Sequence, residues 1–450
     1  MMLWCIGMVA TAQTFSPERT GGVYYAYPVT ASQRMAMPDG YEPFYISHYG
    51  RRGSRWLPSE DRYEWVAAQF EDDANLTPLG KSVKRRLKKI CKNARGNAGQ
   101  LTRLGEKQHR GIARRMVQNY PEVFAADGAE AQARSSTVPR CRASMLAFCG
   151  ELPCPVEPET DPAFMAYINH ESAELKALQV RTRRQPAIDT QRFVGALFKD
   201  GSRVTDDKKL LSELHTIASD MQDIPLTVSL WDIFTVEEMT AVHAANDERM
   251  TICNGDTLLN EGIPARSSIA LWQNIETEAD AMIAKGGHGA SLRFGHDTAL
   301  YRLLSLLRLQ LPGKGMENIL PMGASLQMVF LKPSGQQPSA ESVLVGFLLN
   351  EAPTRLPSPL TTHHSPALYS WAEVKQYMHE RIHALEHLRQ LSALNTMVGT
   401  DQANTLTAGL FGKGSEEKGQ TLPAVLVPNG QTFWTPQTRA TEQKCVAPYY

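Results

Sequence analysis

The chain lacks any excess of charge of one sign: 47 lysines and arginines are matched by 47 aspartates and glutamates. A generic binder of nucleic acid or of an anionic membrane surface carries a basic excess, so both are disfavoured. Any anion site has to be built from locally clustered arginines. After the first dozen residues no apolar run approaches the roughly 20 residues of a membrane span. No C-x-x-C pair occurs, which argues against a cysteine-ligated zinc site. Glycine and proline, at 32 and 27 of 450 residues, are too sparse for a fibrous or disordered chain. The 42% apolar content is ample for a core, and the length is that of two or three domains of roughly 100–200 residues each.

Cysteine is scarce, and its placement matters. Residues 2–10 are nearly all apolar, and Ala10-Thr11-Ala12 is a small-x-small cleavage pattern before Gln13. Residues 1–12 therefore read as an export signal, short and without a positive n-region, with a disordered tail as the alternative. The mature protein is expected to be exported, either periplasmic or secreted. Cys5 would leave with the signal. Cys91, Cys141, Cys149, Cys154, Cys253 and Cys445 remain, an even number that permits disulfides. Cys149 and Cys154 are close enough for a local bridge, and buried free thiols are the other reading.

Strand-like runs occupy 23–27 and 43–49, and the second ends in the loop Gly50-Arg51-Arg52-Gly53-Ser54-Arg55. A strand running into a Gly-rich basic loop is the geometry of an anion site at the carboxyl end of a sheet. Leu76-Thr77-Pro78-Leu79-Gly80 and Leu101-Thr102-Arg103-Leu104-Gly105-Glu106 each open a helical pattern rich in Lys and Arg. Thr137-Val138-Pro139-Arg140 reads as a helix start, with Thr137 as cap and Pro139 in the first turn. Residues 153–285 are mostly amphipathic helix and are expected to form one inserted domain. After Phe294, Asp297 is expected to cap a helix whose Leu300, Leu303, Leu304 and Leu307 follow a 3.6-residue period. Apolar strands at 326–331 and 343–349, a long helix from Trp371 and a loop-rich tail at 401–450 complete the chain.

Three constellations can carry chemistry. In Arg51-Arg52-Gly53-Ser54-Arg55 the guanidinium forks suit phosphate and glycine lets backbone approach an anion. The bland reading is a solvated loop. In Arg134-Ser135-Ser136-Thr137-Val138-Pro139-Arg140, Arg140 falls in a helix's first turn, where free N–H groups favour an anion. In Phe294-Gly295-His296-Asp297 the Asp can be a plain cap, or His296 can donate to phosphate while Asp297 protonates a leaving oxygen. His379, His383 and His387 share a helix face at a metal-binding spacing, but a polar face is the better account. His363-His364 is most simply a loop.

In order and separation these motifs resemble those of the histidine acid phosphatases, phytases and multiple inositol polyphosphate phosphatases, branch 2 of the histidine phosphatase superfamily. That family carries R-H-G-x-R after the first core strand, then R-[ST]-x-x-x-x-R before a helix, then H-D or H-A-E at the return to the core. This chain has RRGSR, RSSTVPR and HD in that order. LTRLGEKQH is similar to the family's L-T-x-x-G-x-x-Q helix opening, and Leu348-Leu349-Asn350 resembles the inositol polyphosphate phosphatases. The likeness covers 41–391.

The resemblance implies an α/β fold: a central mixed sheet flanked by helices, with an inserted, mostly helical cap. The core would be 13–152 and 286–400, and the cap 153–285. It implies hydrolysis of phosphomonoesters, inositol phosphates among them, without metal or organic cofactor. The partner is a phosphorylated small molecule. Arg51, Arg55, Arg140 and His296 would hold the phosphate and Asp297 would be the proton donor, with Arg134 a weaker candidate for substrate contact.

One position departs. Arg52 stands where the family's nucleophilic histidine stands, and a guanidinium has no available lone pair and stays protonated. It cannot form the phosphohistidine of the covalent mechanism. A second register, Ser47-His48-Tyr49-Gly50-Arg51, offers His48 as a substitute nucleophile but matches two motif positions against four for the first. Three readings stay open: a variant of an active phosphatase, a pseudo-phosphatase that binds phosphorylated ligands, or slow turnover through His48 or a water.

Overall fold

The computed structural model describes residues 15–28, 32, 34–309, 320–357, 360 and 368–398. The expected signal, His363-His364, Cys445 and the expected tail at 401–450 lie outside them. The chain divides at Leu385 into two units. The second contributes, among described residues, the last turns of the helix Trp371–Val398, where Arg389 meets Glu386 at 3.8 Å.

The first unit is organised by one mixed sheet of eight strands. These are β1 (Tyr41–Arg51), β2 (Glu130–Ser135), β3 (Val156–Thr160), β4 (Gly289–Gly295), β5 (Ser325–Pro333), β6 (Leu344–Leu349), β7 (Ala352–Thr354) and β8 (Leu368–Ser370). Their order is β3-β2-β4-β1-β5-β6-β7, with β8 also paired to β6. The first four run parallel, and β5 onward are antiparallel. β4, β5 and β6 are buried along nearly their whole length, and β5 and β6 are mostly apolar, as strands covered on both faces must be. In β1 successive side chains alternate faces. Tyr45 and Tyr49 join a core with Trp272, Leu300, Phe330 and Trp371, whereas Ile46 joins one with Ile112, Met145, Phe148 and Phe294. A third core lies between the helices Glu60–Ala68 and Pro78–Ala94 and the later helices Gln191–Leu197, Asp207–Asp220 and Val236–Asn254.

Several local expectations are corrected. The run 23–27 is not a strand: Pro17–Tyr24 is a 3-10 helix kinked at Gly22 (φ 55°), started by Pro17 and docked by Thr20 on His215. The stretch 153–285 is helical except for β3, which joins the sheet beside β2. Its VEPET sequence hides this because β3 is an edge strand, where Pro158 and exposed acids are tolerated. Cys91, Cys141, Cys149, Cys154 and Cys253 are all free thiols, and Cys149 and Cys154 pack into apolar core instead of bridging. Among described residues, no helix is long and apolar enough to cross a membrane.

Candidate active site

Three parallel strands bring the three motifs to one end of the sheet. β1 ends at Arg51, which is in register with Gly295, the last residue of β4. β2 ends at Ser135, in register with Phe294. The chain leaving each strand is stitched to its neighbour: Arg52 N–H donates to Gly295 O at 3.0 Å and Ser136 N–H to Phe294 O at 2.9 Å. The carboxyl ends of parallel strands are where open α/β sheets bind ligands.

The basic loop is held from below. Ser54 is fully buried, and its N–H donates to Gln108 Oε1 at 2.9 Å. Its hydroxyl accepts from Gln108 Nε2 at 2.8 Å and donates to Asp223 Oδ1 at 2.5 Å. Its carbonyl accepts from the N–H of Thr102 at 2.9 Å. Thr102 also caps the helix Arg103–Asn119 through the N–H of Gly105. Gly53 passes so near that helix that a Cβ would come within 2.6 Å of Gly105 O, so only glycine fits.

Arg51 is fully buried. Its Nη1 donates to Leu320 O at 2.7 Å, and its Nη2 donates to Val23 O at 2.6 Å and meets Asp297 Oδ2 at 3.0 Å. Arg52 reaches Met322 Sδ at 2.8 Å and Gly53 O at 3.3 Å. Arg55 donates to Trp56 O at 2.7 Å and lies over the Tyr24 ring. Arg140 is in the first turn of the helix Pro139–Cys149. Its N-cap is Val138, not Thr137, because Pro139 starts the helix by its fixed φ with no side-chain cap. Arg51, Arg52, Arg55 and Arg140 each keep a buried Nε–H without a partner. Unpaired buried donors are costly and rare in folded proteins, so four at one sheet end are a distinct feature of the site.

The charges act on one another. Burial, then Arg55 and Arg51, push Arg52 well below the usual guanidinium value, yet a guanidinium remains a cation. Burial would raise the Asp297 carboxyl, but Arg51, then Arg52, hold it well below the usual carboxylate range. Asp297 is therefore ionised. It is also not the cap residue: the helix Asp297–Leu307 has His296 at the N-cap, and Asp297 Oδ1 accepts from the N–H of Thr298. Burial and then Arg52 bring His296 down to about 3, so its ring is a neutral imidazole. Its Nε2 lies 3.3 Å from Ser136 Oγ and 3.8 Å from Cys141 Sγ.

Arg51, Arg52, Arg55, Arg140, His296 and Asp297 thus fall within one electrostatic cluster. Two other residues singled out from sequence do not. Arg134 points from β2 to Glu278 and Gln132. His48 lies inside β1, one face away from Arg51, with ring centroids 5.1 Å from Phe148 and 5.5 Å from Phe294. Its titratable neighbours are His109 and Arg293, not the loop arginines. Sequence reading gave Ser54, Gln108, Ser136 and Cys141 no role at the site and missed Asp223. Gln108 was visible only as part of a helix opening, and Asp223 carried no signal at all.

No family model matches the chain, and no curated protein matches it. Solved structures do. The multiple inositol polyphosphate phosphatase of Bifidobacterium longum in complex with inositol hexasulfate has a TM-score of 0.66 at 17% identity, over 80% of this chain and 97% of that one. The same enzyme in complex with phosphate has a TM-score of 0.65 at 18% identity, over 81% and 98%. The phytase from D. castellii has a TM-score of 0.58 at 14% identity, over 83% and 88%. The parallel strands, the motif order at their ends and these likenesses agree: the chain has the fold of the histidine acid phosphatases, phytases and inositol polyphosphate phosphatases that its RRGSR, RSSTVPR and HD motifs resemble.

Proposed function

We propose that this protein binds phosphorylated small molecules, inositol phosphates among them, in the arginine cluster of a histidine-phosphatase scaffold whose covalent step is blocked at Arg52. The observation that carries this reading is the set of four guanidiniums with unpaired Nε–H groups at the carboxyl ends of β1 and β2, opposed at short range by Asp297. Such a set stabilises a dianion's oxygens through charge-assisted bonds and needs no metal to do so.

The same geometry works against turnover. Arg52 cannot attack phosphorus, and its charge helps to keep Asp297 ionised, so the expected proton donor holds no proton to give. One side chain thus removes the nucleophile and disarms the acid while adding a cation to the binding site. The helices between 161 and 285 are read as the cap that selects the ligand, and residues 1–12 as an export signal.

A second reading, slow phosphomonoester hydrolysis with water as nucleophile, is favoured by one observation: Asp297 sits 3.0 Å from Arg51, poised beside the anion site. A bound phosphate dianion raises a neighbouring carboxyl and can return its proton. Calorimetric titration with phosphate, sulfate and phytate, run beside a phosphate-release assay, separates the readings. Binding without release above the blank is the expected result. Sustained release by the native chain overturns the block at Arg52, and failure to bind any of the three overturns the anion site.

A further inference from the structure

Asp220 and Asp223 are fully buried at the end of the helix Asp207–Asp220, and they share a turn, since Asp223 N–H donates to Asp220 O at 2.9 Å. Each carboxyl has one satisfied oxygen. Asp223 Oδ1 accepts from Ser54, in the middle of the arginine loop, at 2.5 Å. Asp220 Oδ2 accepts from Tyr63 Oη at 2.8 Å. Each also leaves one buried oxygen unpartnered, Asp220 Oδ1 and Asp223 Oδ2. Two buried carboxylates side by side cannot both stay ionised. A single proton kept on the pair removes that conflict.

We infer that Asp220 and Asp223 form a one-proton carboxyl pair that positions the arginine loop through Ser54 and tunes its anion affinity with pH. This rests on the reading of the arginine cluster as an anion site. Burial and mutual repulsion both favour keeping the proton, and Asp223 is pushed up by burial first and Asp220 second. The groups facing the pair are Arg51 and Arg55 of the loop, Tyr63 and Arg62 of the helix Glu60–Ala68, and Tyr24, which sits beside Arg55 and Arg62. While the proton is held, the pair carries one negative charge. When it leaves, a second negative charge appears beside Arg51 and Arg55 and competes with the bound anion. Affinity therefore falls as pH rises, the reverse of what the ionisation of phosphate itself produces. Asp220 and Asp223 are positioning residues: they touch Ser54 and the charges around it, not the ligand.

Sulfate is the probe, because its charge is constant over the range. Its affinity for the native chain is expected to fall roughly tenfold between about pH 5 and about pH 9. Asp223→Asn keeps an acceptor for Ser54 but leaves Asp220 without a carboxyl partner, so its sulfate affinity should be nearly flat with pH. Asp220→Asn should be flat for the same reason, with thermal unfolding confirming that both variants fold. The carbonyl stretch of a protonated buried carboxyl, seen by infrared in the free native protein and lost in either variant, reads the shared proton without any ligand. Bound sulfate with the same pH slope in native and Asp223→Asn protein overturns the pair, as does absence of the carboxyl band. Failure of native protein to bind sulfate at any pH overturns the anion site instead, and the infrared band then decides on the pair alone.

Discussion

Replacing Arg52 by histidine should convert a binder into a phosphatase. The position of residue 52 is set by backbone, since its N–H donates to Gly295 O, so the shorter side chain leaves the end of β1 in place. The guanidinium gives up contacts only to Met322 Sδ and Gly53 O, and the stability change should stay within about 2 kcal/mol. Two chemical effects follow. The new imidazole lies among Arg51, Arg55 and Arg140 and stays neutral, as the neighbouring His296 does, so it has a lone pair to attack phosphorus. Asp297 also loses one of the cations that hold it ionised. One nearby opposite charge moves a carboxyl by about 1–3 pKa units, so Asp297 rises towards the range where it can donate a proton. General acid catalysis alone is worth about 10²–10⁴ in rate, and a restored nucleophile adds to it non-additively. A gain of at least about 10³ in kcat is expected, or about 4 kcal/mol of barrier. The assay is phosphate release from an aryl phosphate and from phytate, with intact-mass trapping of the phosphohistidine under alkaline quench. Equal turnover by the native chain and the variant would refute the reasoning, because the nucleophile would then lie elsewhere. A variant that binds phosphate yet forms no phosphoenzyme would refute the placement of residue 52 in line with the bound ligand.

Adding Asp297→Asn to Arg52→His should cut aryl phosphate turnover by about 10²-fold or more while leaving phosphoenzyme formation from good leaving groups detectable by mass. Arg55→Ala and Arg140→Ala should each weaken sulfate binding by about 1.5–3 kcal/mol, the worth of a hydrogen bond to a charged group, read by calorimetry. His48→Phe should leave binding unchanged and stabilise the fold at acid pH. Burial, then His109 and Arg293, lower His48 from 6.5 to about 3, so between those values the unfolded chain takes up a proton that the folded chain refuses. The native protein therefore loses stability as pH falls through that window, by about 2 kcal/mol at about pH 5 from this group. Chemical denaturation at acid and neutral pH checks it, and a loss of sulfate affinity in His48→Phe would instead tie His48 to the site.

What could be read from sequence and what could not divide along physical lines. β5 and β6 were legible because strands buried on both faces are mostly apolar, and β1 because its aromatic and β-branched run ends in a Gly-rich basic loop. β2 and β3, EAQARS and VEPET, are half polar and short; β2 is a strand because β4 offers a parallel partner from more than a hundred residues away, and β3 because β2 then offers its free edge. The cationic side chains, His296 and Asp297 were legible because each lies in a short motif at or just beyond a strand end, and strand order alone brings those ends together. The residues that hold them were not. Ser54 is fixed by Gln108, 54 residues on, whose place in a helix opening says nothing of this contact, and by Asp223, 169 residues on, which carries no local pattern. A supporting carboxylate needs only to be buried beside its partner, and burial leaves no spacing rule. The same logic explains why Arg52 could be flagged but not interpreted from sequence. Its misfit follows from the motif register, but its effect on Asp297 follows from a shared buried volume that appears only when β1 and β4 are side by side. On the proposed reading, the departure at Arg52 is thus a change in the charge of the anion site, with Gly53, Ser54 and the strand ends held by the same backbone contacts.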